Sequence, residues 1–148
     1  MKQEDKELLL KDLCGRLPYG VIIQEKCIEN DKTFLPHAEN NKLVNIDVHE
    51  DLAITSGGSR YYIEEFKPYL FPLSSMTEEQ ESYLHFNTKF SITRFGNLII
   101  KTDEDDYPYV VDEDDWLNLF DWFNKNHFDY RGLILKGLAL DATGLNIY

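Results

Sequence analysis

The chain is expected to fold as α+β, with a small antiparallel sheet and helices packed on one face, in a single compact domain spanning 1–148. Three observations predict this. Apolar residues recur at helical spacing near the start of the chain and again after residue 112, and a third helix-start signal sits between them. Short alternating or β-branched runs come as neighbouring pairs joined by turn residues, the arrangement of antiparallel hairpins. The regular β-α-β alternation of a doubly wound parallel sheet is absent. With 148 residues, 43% hydrophobic and 14% aromatic, there is enough apolar material to fill one interior.

Taken in order, Glu4 to Leu13 places Leu8, Leu9, Leu10 and Leu13 among charges with a helical period, and Gly15 and Pro18 are expected to end that helix. Gly20-Val21-Ile22-Ile23 reads as a short strand. Glu29 to Asn41 is polar, a loop or wide hairpin connection. From Leu43 to His49, Val44, Ile46 and Val48 alternate with Asn45, Asp47 and His49, the pattern of a half-buried strand. Glu50-Asp51 turns the chain into Leu52-Ala53-Ile54-Thr55, completing a hairpin, and Ser56-Gly57-Gly58-Ser59 turns it again toward Arg60–Phe66.

In KPYLFPL, Pro68 and Pro72 predict an irregular buried connector anchored by Tyr69, Leu70 and Phe71. Thr77 followed by Gln80 is a capping box for a helix ending near Phe86. Phe90 and Ile92 pair with Leu98, Ile99 and Ile100 across a turn at Phe95-Gly96-Asn97. Asp112 caps a helix from Glu113 to Asn126 whose inward stripe is Trp116, Leu119, Phe120 and Phe123. Leu117 and Trp122 widen that stripe, so the helix is expected to be embedded on more than one side. Asp129 is expected to cap a last short helix through Lys136, closed by Gly137.

The charge is concentrated. Eight of the thirteen residues from Asp103 to Asp115 are carboxylates and none is basic, which supplies −8 of the formal net −12. Without a basic stripe, direct binding to nucleic acid or to an anionic membrane surface is disfavoured. Two cysteines, Cys14 and Cys27, form neither a disulfide framework nor a Cys-x-x-Cys pattern. No signal-peptide core and no run of about 18 apolar residues is present, so a reduced cytoplasmic protein is the expectation.

Most of the chemically suggestive residues have a plainer structural role. Asp112, Glu113, Asp114 and Asp115 are explained as the electronegative first turn of a helix, whereas Asp103, Glu104, Asp105 and Asp106 are not. A calcium loop begun at Asp103 would have Tyr107 at its third ligand position and Pro108 in place of the required glycine. Mimicry of nucleic acid would need further acids, such as Glu64, Glu65, Glu78, Glu79 and Glu81, on the same side. The histidines, His37, His49, His85 and His127, make no local metal pair and read as surface or boundary residues. Cys14, beside leucines, reads as a small core residue. No nucleophile elbow, phosphate cradle or cofactor motif is present; no catalytic residue, metal ligand or cofactor is assigned.

Three segments, LLLKDLCGRLPYGV from Leu8, EEFKPYLFPLSSMTEE from Glu64 and DYRGLILKGLAL from Asp129, together resemble an uncharacterised family of small gut-bacterial proteins found among prophage or mobile-element genes. That resemblance covers about a third of the chain and implies an accessory role, with no chemistry to transfer to any residue. The functional expectation is a non-enzymatic acidic interaction protein. Its binding face would be Asp103, Glu104, Asp105, Asp106, Tyr107, Tyr109, Asp112, Glu113 and Asp114, and it would act on a basic, nucleic-acid-binding surface of a partner protein as an accessory factor or inhibitor. The alternative is a carboxylate-dependent metal-binding protein or hydrolase that combines the run with His85 or His127.

Overall fold

The computed structural model describes residues 1–25, 41–93 and 95–148, and they are α+β as expected. They divide into two compact units, 1–70 with 131–148, and 71–130. The expected connection over Glu29–Asn41, together with Cys27 and His37, lies almost wholly outside the described residues. In place of one sheet there are three small ones among the described residues. No helix among the described residues is long and apolar enough to cross a membrane.

The first unit begins with α1 (Gln3–Arg16), which buries Leu9, Leu13, Asp12 and Arg16. The helix does not stop at Gly15. Arg16 lies one turn beyond Asp12 and clamps it, with Nε donating to Oδ2 at 2.6 Å and Nη2 to Oδ1 at 3.0 Å. That fully buried pair holds the last turn helical despite the cost of about 1 kcal/mol that glycine imposes inside a helix. The reversal comes instead at Gly20, after a 3-10 turn at Leu17–Tyr19 that admits Pro18. Gly20 has φ +68°, and its N–H donates to the carbonyls of Arg16 and Leu17.

Three strands make a meander: β2 (Leu43–Asp47), β3 (Leu52–Thr55) and β4 (Arg60–Tyr62). The expected hairpin of β2 and β3 and the expected turn at 56–59 are present, and β4 adds a second antiparallel pairing; Asp51 (φ +56°) and Gly58 (φ +82°) lie in the left-handed region where the chain reverses. The alternation in β2 departs from expectation. Register skips Val44, because Leu43 pairs with Thr55 and Asn45 with Ile54. A bulge of this kind shifts the pleat by one residue. Leu43 is therefore buried, while Val44 and Val48 are about half exposed.

A mixed sheet completes the unit, in the order β1 (Ile23–Glu25), β5 (Phe66–Leu70), β8 (Leu140–Asp141). Here the expectation of an irregular connector over KPYLFPL (67–73) is corrected, since Phe66–Leu70 is the central strand. Pro68 is tolerated because successive backbone N–H groups point to opposite sides. Tyr69 N–H faces β1, donating to Ile22 O at 2.9 Å, so the position at Pro68 faces the other way. There β8 starts pairing only at Tyr69. The β5–β8 pair is parallel, and the long connection that parallel neighbours need is residues 71–139, most of them the second unit. The strand expected at 20–23 is displaced, with Ile22 in a single bridge to Lys42 and β1 beginning at Ile23.

The final helix expected at 129–136 is absent. Residues 133–137 form consecutive turns, with Lys136 N–H to Gly132 O and Gly137 N–H to Ile134 O. Gly132 (φ +72°) and Gly137 (φ +68°) are both left-handed and leave only four residues between them, too few to offset helix nucleation. Leu133 and Leu138 instead join the interior built by Leu9, Leu13, Ile23, Leu43, Ile63, Phe66 and Leu70, and Leu135 is 95% exposed.

Tyr148 ties this unit's mixed sheet. Its hydroxyl donates to Tyr69 O at 2.7 Å and accepts from Ile22 N–H at 3.1 Å. Loss of water around that oxygen pushes the phenol above its ordinary value. Tyr148→Phe leaves a buried donor and acceptor unmatched and is expected to cost about 1–3 kcal/mol in urea unfolding. A loss under about 0.5 kcal/mol would mean that water replaces the hydroxyl.

The second unit holds α2 (Glu78–Asn87), the hairpin β6 (Phe90–Ile92) and β7 (Leu98–Ile100), and α3 (Glu113–Lys125). Both expected helix starts are reciprocal capping boxes, Thr77 with Gln80 and Asp112 with Asp115. Leu119 and Phe123 of α3 are fully buried against Met76, Leu84, Phe90 and Phe128, with Trp116, Phe120 and Trp122 packed at the margin. Leu117, expected to widen the buried stripe, is 59% exposed. The stripe is single-sided because α3 meets this core on one flank only. The helix closes at His127 (φ +58°), whose N–H reaches Asn124 O while Phe128 N–H reaches Phe123 O, the paired bonds of a Schellman motif. His127 is thereby buried, where the sequence suggested a surface or boundary position.

Candidate functional site

The acidic run folds as an ordered hairpin that leads into the start of α3. Thr102 bridges Pro108, and Tyr109 N–H donates to Lys101 O at 2.9 Å, extending the β6–β7 hairpin outward. The tip is closed by Asp103. Its Oδ1 accepts from the N–H groups of Asp105 and Tyr107, both at 3.0 Å, while its own N–H donates to Tyr107 O. Asp106 sits at φ +63°, a conformation that short polar side chains such as Asp tolerate. The sequence offered no structural role for Asp103–Asp106, yet two of the four acids build the turn. The missed signal is the Asp-x-x-Asp spacing around a reversal, which is specific only once the flanking segments are known to pair.

The nine expected site residues thus separate into two groups. Asp103 and Asp112 are occupied in holding backbone, the first at the tip and the second at the N-cap of α3, where it accepts from Asp115 N–H at 3.0 Å. Glu104, Asp105, Asp106, Glu113 and Asp114 are exposed, and no lysine or arginine among the described residues forms an ion pair with them. Tyr107 is 69% exposed, Tyr109 43% and the neighbouring Val110 86%. Asp115, which the sequence assigned to the helix turn alone, is among the described residues the one carboxylate of the run with an ion pair. It meets Lys89 Nζ at 2.6 Å, and the same amine donates to Val110 O at 2.9 Å.

Among the described residues, lysines therefore hold the hairpin without pairing the carboxylates at its tip. Lys101 Nζ donates to His85 O at 2.5 Å and lies 5.8 Å from the centre of the Tyr109 ring. Residues 71–130 carry thirteen acids against four bases, a formal −9 of the chain's −12. Glu78, Glu79 and Glu81 belong to this unit, and Glu64 and Glu65 to the other.

The Lys89 hydrogen bond holds the Asp115 carboxyl below its usual value, and the Asp115 hydrogen bond holds the Lys89 amine above its own. A depressed carboxyl contributes stability that is present above the ordinary carboxylate pKa of about 4 and lost as pH falls through the folded value. Lys89→Met is accordingly expected to lower stability equally at pH 7 and pH 5, with the deficit shrinking below about pH 4. Urea unfolding at the three pH values checks this, and a deficit that stayed constant into acid would exclude the ion pair as its cause.

Other chemically capable residues are dispersed. Cys14 is exposed, correcting the core position expected for it, and desolvation raises its thiol pKa, the wrong direction for a thiolate nucleophile. Among the described residues no group of three His, Cys, Asp or Glu side chains could hold a metal ion. His85 does line a groove with Glu78, Glu81 and Ser82. Comparison of the chain with family models, with curated proteins and with solved structures finds no match in any of the three.

Proposed function

We propose that this is a non-enzymatic interaction protein whose acidic hairpin docks on a basic surface of a partner protein. One observation carries the reading. Glu104, Asp105 and Asp106 project from a hairpin that is fixed by its own backbone bonds, beside the exposed Tyr107, Tyr109 and Val110. A preformed charged loop loses little conformational entropy on docking. Its field steers a basic partner, while the tyrosines and Val110 supply the apolar contact that charge alone does not give. A partner surface that normally holds nucleic acid fits this chemistry, and the protein would then act as an inhibitor or accessory factor, in keeping with the mobile-element resemblance.

The test is affinity capture from host extract, followed by titration of the purified partner. Raising salt from about 0.05 to 0.5 M shortens the screening length several-fold and is expected to weaken binding by at least about ten-fold. The triple variant Glu104→Gln/Asp105→Asn/Asp106→Asn is expected to remove most of that dependence. Affinity indifferent to both changes would end the electrostatic account.

A second reading, as a hydrolase or metal-binding protein, is favoured by one feature, the presence of His85, Ser82, Glu78 and Glu81 around one groove. No hydrogen bond joins His85 to Ser82 or to either carboxylate, whereas a nucleophile and its base normally lie within hydrogen-bond reach. Calorimetry with calcium, magnesium, manganese and zinc separates the readings, since binding tighter than about millimolar would favour the metal site.

A further inference from the structure

Glu78, Glu81, Ser82, His85 and Phe86 recur along α2 at the spacing of one helical face, and that face borders a groove completed by Ser91 and Ile92 of β6. The groove has a volume of about 470 Å³, within the range of about 300–1,000 Å³ typical of binding clefts. The buried residue of α2, Leu84, belongs to the other side of the helix, so the groove face is not used to build the core. Phe86 is 80% exposed, and its ring meets His85 edge-on at 4.9 Å between centroids. An aromatic side chain so exposed has most of its large apolar surface in water.

Charge identifies the occupant. Glu78 and Glu81 have no ion pair among the described residues, and the unit around them carries a formal −9. A second copy of the chain would bring the same negative field and be repelled. A basic segment is attracted by the carboxylates while an apolar side chain within it covers Phe86 and Ile92. Resting on the reading that the partner is basic, we infer that this groove is a second docking point on the same unit. It takes a leucine or aromatic side chain flanked by lysine or arginine, with Phe86 as the apolar contact and Glu78 and Glu81 pairing the flanking cations.

The experiment uses the full chain and two fluorescent peptides of equal charge, one of lysine and leucine and one of lysine and serine. Anisotropy is expected to show tighter binding of the leucine peptide. Phe86→Ser is expected to weaken that peptide about ten-fold and to change the serine peptide less than about two-fold. Glu78→Gln/Glu81→Gln, on the surface and behind an intact Thr77 cap, is expected to weaken both. No preference for leucine in the wild type, or no response to Phe86→Ser, would overturn the inference. If only the hairpin variant Glu104→Gln/Asp105→Asn/Asp106→Asn loses binding, the groove fails and the hairpin stands. If only the groove variants lose binding, the groove stands and the hairpin reading fails. Zinc binding abolished by Glu78→Gln/Glu81→Gln, or a dimer abolished by Phe86→Ser, would assign the groove to another occupant and overturn the peptide.

Discussion

Asp12→Ala is expected to destabilise the protein by about 3–5 kcal/mol, the usual consequence of removing one partner from a buried ion pair. Asp12 and Arg16 are both fully buried, and Arg131 Nε adds a third contact to Asp12 Oδ1 at 3.4 Å. Without the carboxylate, Arg16 retains its charge in the interior, because a guanidinium does not deprotonate in proteins. The double replacement Asp12→Leu/Arg16→Met removes both charges, and exchanges of this kind are often neutral or stabilising. It is expected to recover most of the loss. Urea unfolding followed by far-UV circular dichroism compares the two. A double variant as unstable as the single one would show that the pair specifies the end of α1 rather than merely satisfying itself, since Gly15 would then have nothing to hold it helical.

Phe123→Ala is the other change of this size, at about 3–5 kcal/mol. Phe123 is fully buried and touches three further rings, Trp122 at 5.7 Å, Tyr130 at 5.5 Å and Phe128 at 6.3 Å between centroids. Truncation loses the transfer energy of the ring and leaves a void bounded by side chains that are themselves stacked, with little room to collapse. Both tryptophans, Trp116 and Trp122, lie in this unit, so tryptophan emission reports on it directly. Phe123→Leu keeps most of the volume and is expected to lose about half as much. Leu117→Ala, on the exposed side of the same helix, is expected to stay within about 0.5 kcal/mol of wild type. A large loss at Leu117 would mean that a second surface covers α3.

How far the sequence could be read follows from the range of each interaction. The starts of α2 and α3 were legible because a capping box is complete within four residues. The reversals between β2 and β3, and between β6 and β7, were legible because turn chemistry and alternation are local. Misreadings arose where a distant partner decided. Pro68 argued against a central strand, but it sits where β8 has not yet begun to pair. Gly15 reads as a helix end, but Arg16 clamped on Asp12 keeps that turn helical. Val44 kept the alternation, and the bulge turned it outward. Within the candidate site, the exposed carboxylates and Tyr107 were visible in the sequence. The turn-building role of Asp103, the part of Lys89 and Lys101 in fixing the hairpin, and the groove beside Phe86 were not.

By itself, the sequence determined three local properties of this protein: where the carboxylates would concentrate, which helix would carry the aromatic stripe, and which caps would start the helices. Those properties depend on neighbours along the chain. Only the tertiary structure decided which carboxylates are occupied with backbone and which face solvent, and that the apolar residues build two interiors, one in each compact unit. Such outcomes depend on residues brought together from far apart, as with Lys89 reaching Asp115 and Tyr148 reaching Ile22 and Tyr69. Chain spacing holds no record of those encounters.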